Sequence, residues 1–338
     1  MPITNNSGIS LPLAVWLIHD EYDMVEGVQN YISVTQLMKP LKQIILPKRI
    51  PPEERVEDVE DFIARKLGHA IHDSIERAWT KGASLGLHRL GYPEDVVKRV
   101  VVNPTTEQMR NIPDIIPVWL ENRGLREIEI DGVLYTVGGK FDMVADGILN
   151  DNKSTSAWSW VFGTRDDEHR LQMSLYRWID QDRTDGEAPR VTDDHCQVNY
   201  IFTDWQKAQA KQNPKYPQKR VEQKTLPLLE LDETEDWIRN KIRLLAQNIN
   251  VPESQMPRCT DEELWRSDPK FKYYTDPAKA QQPGARSTKN FDNRAEAHQF
   301  KASKGGVGVV VEIPGEVKAC GYCAAFDVCE QRKEYFND

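Results

Sequence analysis

The sequence has no long apolar run, few cysteines and no excess of basic residues. None of its apolar stretches approaches the roughly 18–20 residues of a bilayer-spanning helix. No basic segment precedes the short apolar stretch near the N-terminus, which argues against a secretory signal. The 53 Asp and Glu outnumber the 44 Lys and Arg, which gives a net charge of −9. We therefore do not expect a cationic surface over the whole protein, although a local basic groove is compatible with this charge. We therefore expect a cytoplasmic protein that does not contact a membrane.

The composition is that of a globular protein. Of its 338 residues 39% are hydrophobic and 29% charged, which excludes wholesale disorder and fibrous rods. The length allows one large domain or two ordinary ones, and no internal repeat is visible. We expect an N-terminal segment (1–57), a core (58–204), a basic loop with a helix (205–258) and a cysteine-rich module (259–338).

Apolar spacing predicts an ordered middle region. Residues 59–79, 165–179 and 233–248 carry apolar side chains at helical spacing. Turns at Asp131–Gly132 and Asp146–Gly147 separate predicted strands at 126–130, 133–144 and 148–155, and a further strand is predicted at 196–202. The expected order is helix, three strands, helix, strand, and we expect a loop-rich module from residue 259 onward.

Two aspartates and a lysine fall near the ends of adjacent predicted strands. Asp142 ends one strand and Asp151-Asn152-Lys153 ends the next, so an antiparallel pairing brings the two carboxylates together. Such oxygen ligands suit Mg²⁺ or Mn²⁺ together with a phosphate. Asp151 and Lys153 share a strand face, which places an ammonium group beside that phosphate. Taken alone, the tripeptide is more often a solvated polar turn than a site.

Two spaced pairs on the flanking helices strengthen the functional interpretation. Gly68-x3-His72 offers a close backbone approach and a further metal ligand one turn away, although a lone helical histidine is more often structural. Gln172-x3-Tyr176 places an amide and a phenol on one helix face, where they can orient Lys153 or form an ordinary polar edge. The order of all four motifs is far more specific than any one of them.

This order of motifs resembles the PD-(D/E)XK nuclease superfamily, in particular its RecB-like branch, which includes phage and CRISPR-associated exonucleases. The similarity covers about residues 68–202. It implies an α/β fold, a central mixed sheet flanked by helices, with Mg²⁺ or Mn²⁺ at the ends of adjacent strands. Phe141 replaces the proline that gives the superfamily its name, and Asp151 stands where many relatives have glutamate.

The resemblance also implies roles for individual residues. The metal ligands would be His72, Asp142, Asp151 and the carbonyl of Asn152. Lys153 would be the catalytic lysine, and Gln172 and Tyr176 would match the motif that follows the core strands.

The implied activity is hydrolysis of DNA phosphodiester bonds by a metal-activated water. A DNA exonuclease of recombination, repair or phage DNA metabolism fits best, in a bacterial or phage-infected cell, with a recombination or replication protein as a further partner. A catalytically weak scaffold of nuclease fold, which binds DNA or protein, stays open, although an unpaired acidic pair beside Lys153 argues against it. A structure- or site-specific endonuclease also stays open, although no recognition module is identifiable.

Three of the five cysteines are crowded near the C-terminus, as Cys320-x2-Cys323-x5-Cys329. This spacing presents thiolates to one metal centre. Iron–sulphur relatives carry a similar C-terminal pattern, so the resemblance implies a [4Fe–4S] cluster, with Zn²⁺ as the alternative. Their fourth cysteine usually lies upstream of the Gly-x3-His helix, where this chain has none, and Cys259 is the best substitute. Cys196, in a predicted core strand, is expected to be a buried small apolar residue.

A basic stretch follows the last predicted core strand. It carries no acidic residue from 205 to 220 and contains Trp205 and Tyr216, which suggests DNA phosphate tracking with base stacking. A solvated loop explains it equally well. Its cations are Lys207, Lys211, Lys215, Lys219 and Arg220. A second basic group is Lys39, Lys42, Lys48 and Arg49, and Trp158 and Trp160 are candidates for lining a DNA channel.

Overall fold

The structure is a computed structural model that describes residues 3–19, 25, 27–163 and 165–336. It divides into two compact units. The sheet unit comprises Met1–Lys39 and Pro51–Ala246, and the cysteine unit comprises Pro40–Ile50 and Gln247–Asp338. The helices are α1 (Leu11–Ile18), α2 (Val34–Leu37), α3 (Leu41–Arg49), α4 (Ile63–Arg89), α5 (Glu94–Arg99), α6 (Thr106–Asn111), α7 (Ala157–Phe162), α8 (Asp166–Gln181), α9 (Lys207–Gln212), α10 (Leu231–Asn248), α11 (Pro277–Ala280) and α12 (Arg294–Ser303).

Most strands belong to one mixed sheet in the sheet unit. The strands are β1 (Ile3–Thr4), β2 (Tyr31–Ser33), β3 (Glu57–Asp58), β4 (Val100–Val102), β5 (Ile116–Ile130), β6 (Val133–Ala145), β7 (Ile148–Thr155), β8 (His195–Phe202), β9 (Val221–Pro227), β10 (Lys270–Tyr274), β11 (Lys289–Phe291) and β12 (Val309–Ile313). The large sheet has the order β4-β5-β6-β7-β8-β9, and β2 adds to β6. Helix α8 packs against β5 and β6, and α4 packs against β4 and β7, so the predicted mixed sheet with flanking helices is confirmed.

Tight turns set the register of the central strands. Asp131–Gly132 and Asp146–Gly147 all have positive φ, between 50° and 85°, as a two-residue hairpin turn of the mirror-image type requires. The β6–β7 turn pairs Ala145 with Ile148 and Met143 with Asn150. This short hairpin is the reason that Asp142 lies near the Asp151–Lys153 segment, as the sequence predicts.

Several predicted elements are confirmed, but the predicted segments are shorter than the observed ones. The first helix continues to Arg89, ten residues beyond the predicted end, and β5 begins ten residues before the predicted strand at 126. Gly82 and Gly86 weaken the helical pattern of α4, and Pro117 weakens the strand pattern of β5. No described helix combines the length and the hydropathy of a membrane span.

The cysteine unit is more ordered than the sequence predicts. A three-stranded antiparallel sheet, in the order β11-β10-β12, lies in sequence between Cys259 and Cys320. Its strands are three to five residues long, so they are too short for a clear alternating pattern. Helix α3 also belongs to this unit, with Leu41, Ile44, Ile45 and Leu46 buried.

Candidate metal centre

Three elements bring predicted ligands together at one point. His72 comes from α4, Asp142 from β6 and Asn152 from β7. The His72 Nδ1 atom lies 3.3 Å from Asp142 Oδ1, and His72 Nε2 lies 2.8 Å from the carbonyl oxygen of Asn152. The backbone N–H of Asn152 donates to Asp142 Oδ2 at 3.1 Å. The imidazole thus contacts both the Asp142 carboxylate and the Asn152 carbonyl.

Glu121 joins this group and is not among the residues that the sequence singled out. Ligand atoms of His72, Glu121 and Asp142 all lie within 4.8 Å of one another. Glu121 has φ of 51°, which is unusual for a residue with a side chain, and the β5–β6 register omits the Glu121–Asp142 pair. Its carboxylate also forms a 2.6 Å ion pair with Lys140. In the sequence, Glu121 is marked only as an acidic residue within 116–122, a segment that precedes the strand predicted at 126–130.

Asp151 and Lys153 form an ion pair next to this group. Lys153 Nζ lies 2.9 Å from Asp151 Oδ2, and Asp151 is only 4% exposed. That buried oxygen accepts no hydrogen bond of good geometry. Asp151 is not a member of the His72, Glu121 and Asp142 group. A carboxylate paired with one ammonium still has further lone pairs with which it can accept a metal cation.

The predicted amide and phenol of α8 reach Lys153. Lys153 Nζ donates to Gln172 Oε1 at 3.3 Å, and Gln172 Nε2 donates to the Tyr176 hydroxyl at 3.2 Å. Tyr176 packs over Gly139, where an added Cβ would lie 2.5 Å from the ring. Gly139 therefore lets the ring approach β6, and Gln172 and Tyr176 hold the Lys153 ammonium from the helix side.

Burial and neighbouring charges shift the pKa values of this group. The Asp142 hydrogen bond raises the pKa of His72 to about 9, against the effect of burial. Burial raises the pKa of Asp151, and the Lys153 ammonium opposes this rise. Burial also raises the pKa of Glu121, and Lys140 opposes it. The carboxylates of Glu121 and Asp142 lie close to each other and to His72. A divalent cation bound among them can neutralise their negative charge.

The four C-terminal-side cysteines line one cavity in the cysteine unit. Cys259, Cys320, Cys323 and Cys329 share this cavity with Lys42 of α3. No three cysteine sulfurs of the described chain lie within 4.8 Å of one another, so a tight cysteine cluster is not formed. In the described residues the four cysteines therefore share a cavity without meeting as a compact ligand group.

Polar contacts hold the wall of this cavity. Gln331, which is 5% exposed, accepts from the Cys259 N–H at 2.9 Å and donates to its carbonyl at 3.1 Å. Glu253 accepts from the Cys329 thiol at 3.3 Å and pairs with Lys42 at 3.0 Å. Burial raises the pKa of Cys259 to about 12, so a bound metal would have to displace the thiol proton. Cys196 is fully buried in β8, as predicted.

The two predicted basic surfaces differ. The five cations of α9 and of the loop that follows it are all exposed: Lys207, Lys211, Lys215, Lys219 and Arg220. Tyr216 is unavailable for stacking, because it is 2% exposed in an apolar cluster, and Trp205 is half-buried against that cluster. In the second group Lys39, Lys48 and Arg49 are exposed, and Lys42 is not. Lys42 is buried against Glu253, and Arg49 donates to the carbonyls of Asn248, Ile249 and Val251.

Comparisons with known proteins agree with this geometry. The chain matches the PD-(D/E)XK nuclease superfamily over residues 48–263, which is more than half its length. No curated protein matches it significantly. Among solved structures, that of SSO0001 is similar with a TM-score of 0.39 and 15% identity, over 72% of this chain and 86% of that chain, a similarity too low to support an argument. The superfamily match and the carboxylate–histidine group converge, and the chain belongs to the PD-(D/E)XK nuclease superfamily.

Proposed function

We propose that this chain is a divalent-metal-dependent DNA exonuclease of the RecB-like branch, acting in recombination, repair or phage DNA metabolism. The observation that carries the proposal is the convergence of His72, Glu121 and Asp142 beside the Asp151–Lys153 pair. The ion pair between Lys153 and a buried carboxylate, with a second contact to Gln172, is a costly arrangement for a scaffold to maintain.

The donor set fits Mg²⁺ or Mn²⁺. Carboxylate and carbonyl oxygens are preferred by both ions, and an imidazole is a good further ligand for Mn²⁺. His72, Asp142, Asp151 and the Asn152 carbonyl would hold the ion, and Glu121 is positioned to add a carboxylate. When bound, it would supply a hydroxide-like nucleophile and neutralise phosphate charge.

Lys153 acts on the phosphate through its charge. Its ammonium is held between Asp151 on one side and Gln172 on the other, so its position is fixed before substrate arrives. A fixed cation stabilises the negative charge that develops on the phosphate oxygens during in-line attack. Gln172 and Tyr176 are positioning residues for this cation, since neither has to contact the substrate to do so.

We also propose that the cavity of the cysteine unit holds a [4Fe–4S] cluster. Four cysteines line one cavity, and three of them have the C-x2-C-x5-C spacing, which supports a shared cysteine-ligated group. Cys259 would supply the fourth ligand, fixed by the two Gln331 hydrogen bonds. The five exposed cations from Lys207 to Arg220 would contact DNA phosphates.

Degradation of end-labelled DNA tests this function. Linear and covalently closed molecules, single- and double-stranded, are incubated with wild type in Mn²⁺, Mg²⁺ or EDTA. We expect metal-dependent loss of linear DNA, with closed circles left intact because they offer no end. Cutting of closed circles would replace the exonuclease by an endonuclease. DNA binding without cleavage would indicate a scaffold.

A further inference from the structure

Helix α7 begins two residues after Lys153-Ser154-Thr155 and exposes two aromatic rings. Trp158 is 43% exposed and Phe162 is 69% exposed. Their rings are stacked with centroids 6.1 Å apart, as expected for side chains four residues apart on a helix. Exposing two adjacent apolar rings to water is unfavourable in free energy, and such a patch is typical of a binding surface.

The opposite side of α7 is anchored, so the two rings are held in place. Ala157 is fully buried, and Trp160 contacts Tyr200 and Phe202 with ring centroids 5.3 and 5.9 Å apart. Asp204 accepts from the Ser156 hydroxyl at 2.6 Å and from the Ala157 N–H at 2.7 Å. Burying Trp158 and Phe162 in the core would require α7 to break these contacts. The exposed pair is therefore a fixed surface of the sheet unit.

Helix α7 lines a cleft together with the candidate catalytic lysine. Trp158 contacts Tyr216 edge-on at 5.7 Å, and Tyr216 follows the exposed Lys215. One cleft is lined both by Lys153 and by Ser159 of α7, together with Arg165. Aromatic faces next to cations are the combination that binds single-stranded nucleic acid, because bases stack on the rings while the phosphates meet the charges.

We propose that Trp158 and Phe162 form a platform on which unpaired DNA bases stack, so that single-stranded or frayed ends are the substrates. This inference rests on the proposed nuclease function for its choice of ligand. A fully paired duplex buries its base faces and can contact only the cations. The platform therefore distinguishes DNA by the availability of base faces and not by sequence.

Binding to strands with and without bases tests the platform. Fluorescence anisotropy in EDTA, which prevents cleavage, compares an oligothymidylate with an abasic oligomer of equal length, which carries the same phosphates. We expect wild type to bind the oligothymidylate at least about tenfold more tightly. Trp158→Ala/Phe162→Ala should lose this preference and keep the affinity and salt dependence for the abasic strand. Trp158→Phe should retain most of the preference, because it keeps a ring.

Leu85→Ala/Tyr92→Ala is the matched control, since it removes similarly exposed apolar groups outside α7. It should bind both strands as wild type does. Wild-type affinity of the Trp158→Ala/Phe162→Ala variant for oligothymidylate, or an equal loss on both strands, would overturn the platform. Base-selective binding by a wild type that fails to cleave DNA in Mn²⁺ would leave the platform in place and remove the nuclease proposal.

Discussion

Lys153 links the acidic side of the candidate centre to helix α8. It contacts Asp151 at 2.9 Å and Gln172 at 3.3 Å. We expect Lys153→Met to slow DNA cleavage by about 10³-fold, because a fixed cation is lost from the transition state. Single-turnover cleavage in Mn²⁺ measures this effect, and DNA affinity in EDTA should change little. Lys81→Met, an exposed lysine of α4, is the control. Cleavage within tenfold of wild type would remove Lys153 from catalysis.

His169 gives the sheet unit an acid-sensitive group. It is 5% exposed beside Tyr200, and burial lowers its pKa to about 4. The unfolded chain takes up this proton below pH 6.5, whereas the folded chain does so only near pH 4, so stability is lost as the pH falls through this interval. We expect wild type to lose about 2 kcal/mol more unfolding free energy between pH 7 and 4 than His169→Phe does. Urea unfolding at the two pH values measures the difference, and equal losses would contradict the assignment.

At the scale of elements, β6 approaches α8 closely because Gly139 has no side chain. An alanine Cβ would lie 2.5 Å from the Tyr176 ring. We expect Gly139→Ala to destabilise the protein by about 2 kcal/mol through overpacking, and to slow cleavage by displacing Tyr176 and Gln172. Gly82→Ala on α4 is the matched control, since no atom lies within 4 Å of its added Cβ. That control should stabilise the helix by about 1 kcal/mol. Unchanged stability and cleavage in Gly139→Ala would refute the close-packing argument.

The sequence predicts local elements better than it predicts distant partners. Strand β7 was predicted with its observed bounds, because Asp146–Gly147 marks its start and its residues favour a strand. The approach of Asp142 to the Asp151–Lys153 segment was predictable from the short hairpin between their strands. Glu121 was missed because its position depends on a locally distorted strand that sequence periodicity does not reveal. The place of Lys42 at the cysteine cavity depends on residues more than 200 positions away, which no local pattern encodes.

At the scale of the whole molecule, the proposed chemistry is divided between two units. The cysteine unit has Cys259, Cys320, Cys323 and Cys329 around one cavity. We expect anaerobically purified wild type to contain about four iron atoms per chain, and Cys323→Ser to lose iron and to unfold its cysteine unit at lower urea concentration. Cys196→Ser, outside the cavity, should keep its iron. Stoichiometric zinc in a colourless wild type would contradict the cluster.

The central claim is that the acidic group in the sheet unit hydrolyses DNA with a divalent metal. Asp151 is the group that most directly separates this from the scaffold alternative, since it is buried and its Oδ2 lies 2.9 Å from Lys153 Nζ. The decisive measurement is the rate of Mn²⁺-dependent degradation of linear DNA by Asp151→Asn relative to wild type. We predict a loss of about 10³-fold or more with DNA binding in EDTA retained. A variant that degrades DNA at the wild-type rate, or a wild type that is equally active in EDTA, would contradict the account.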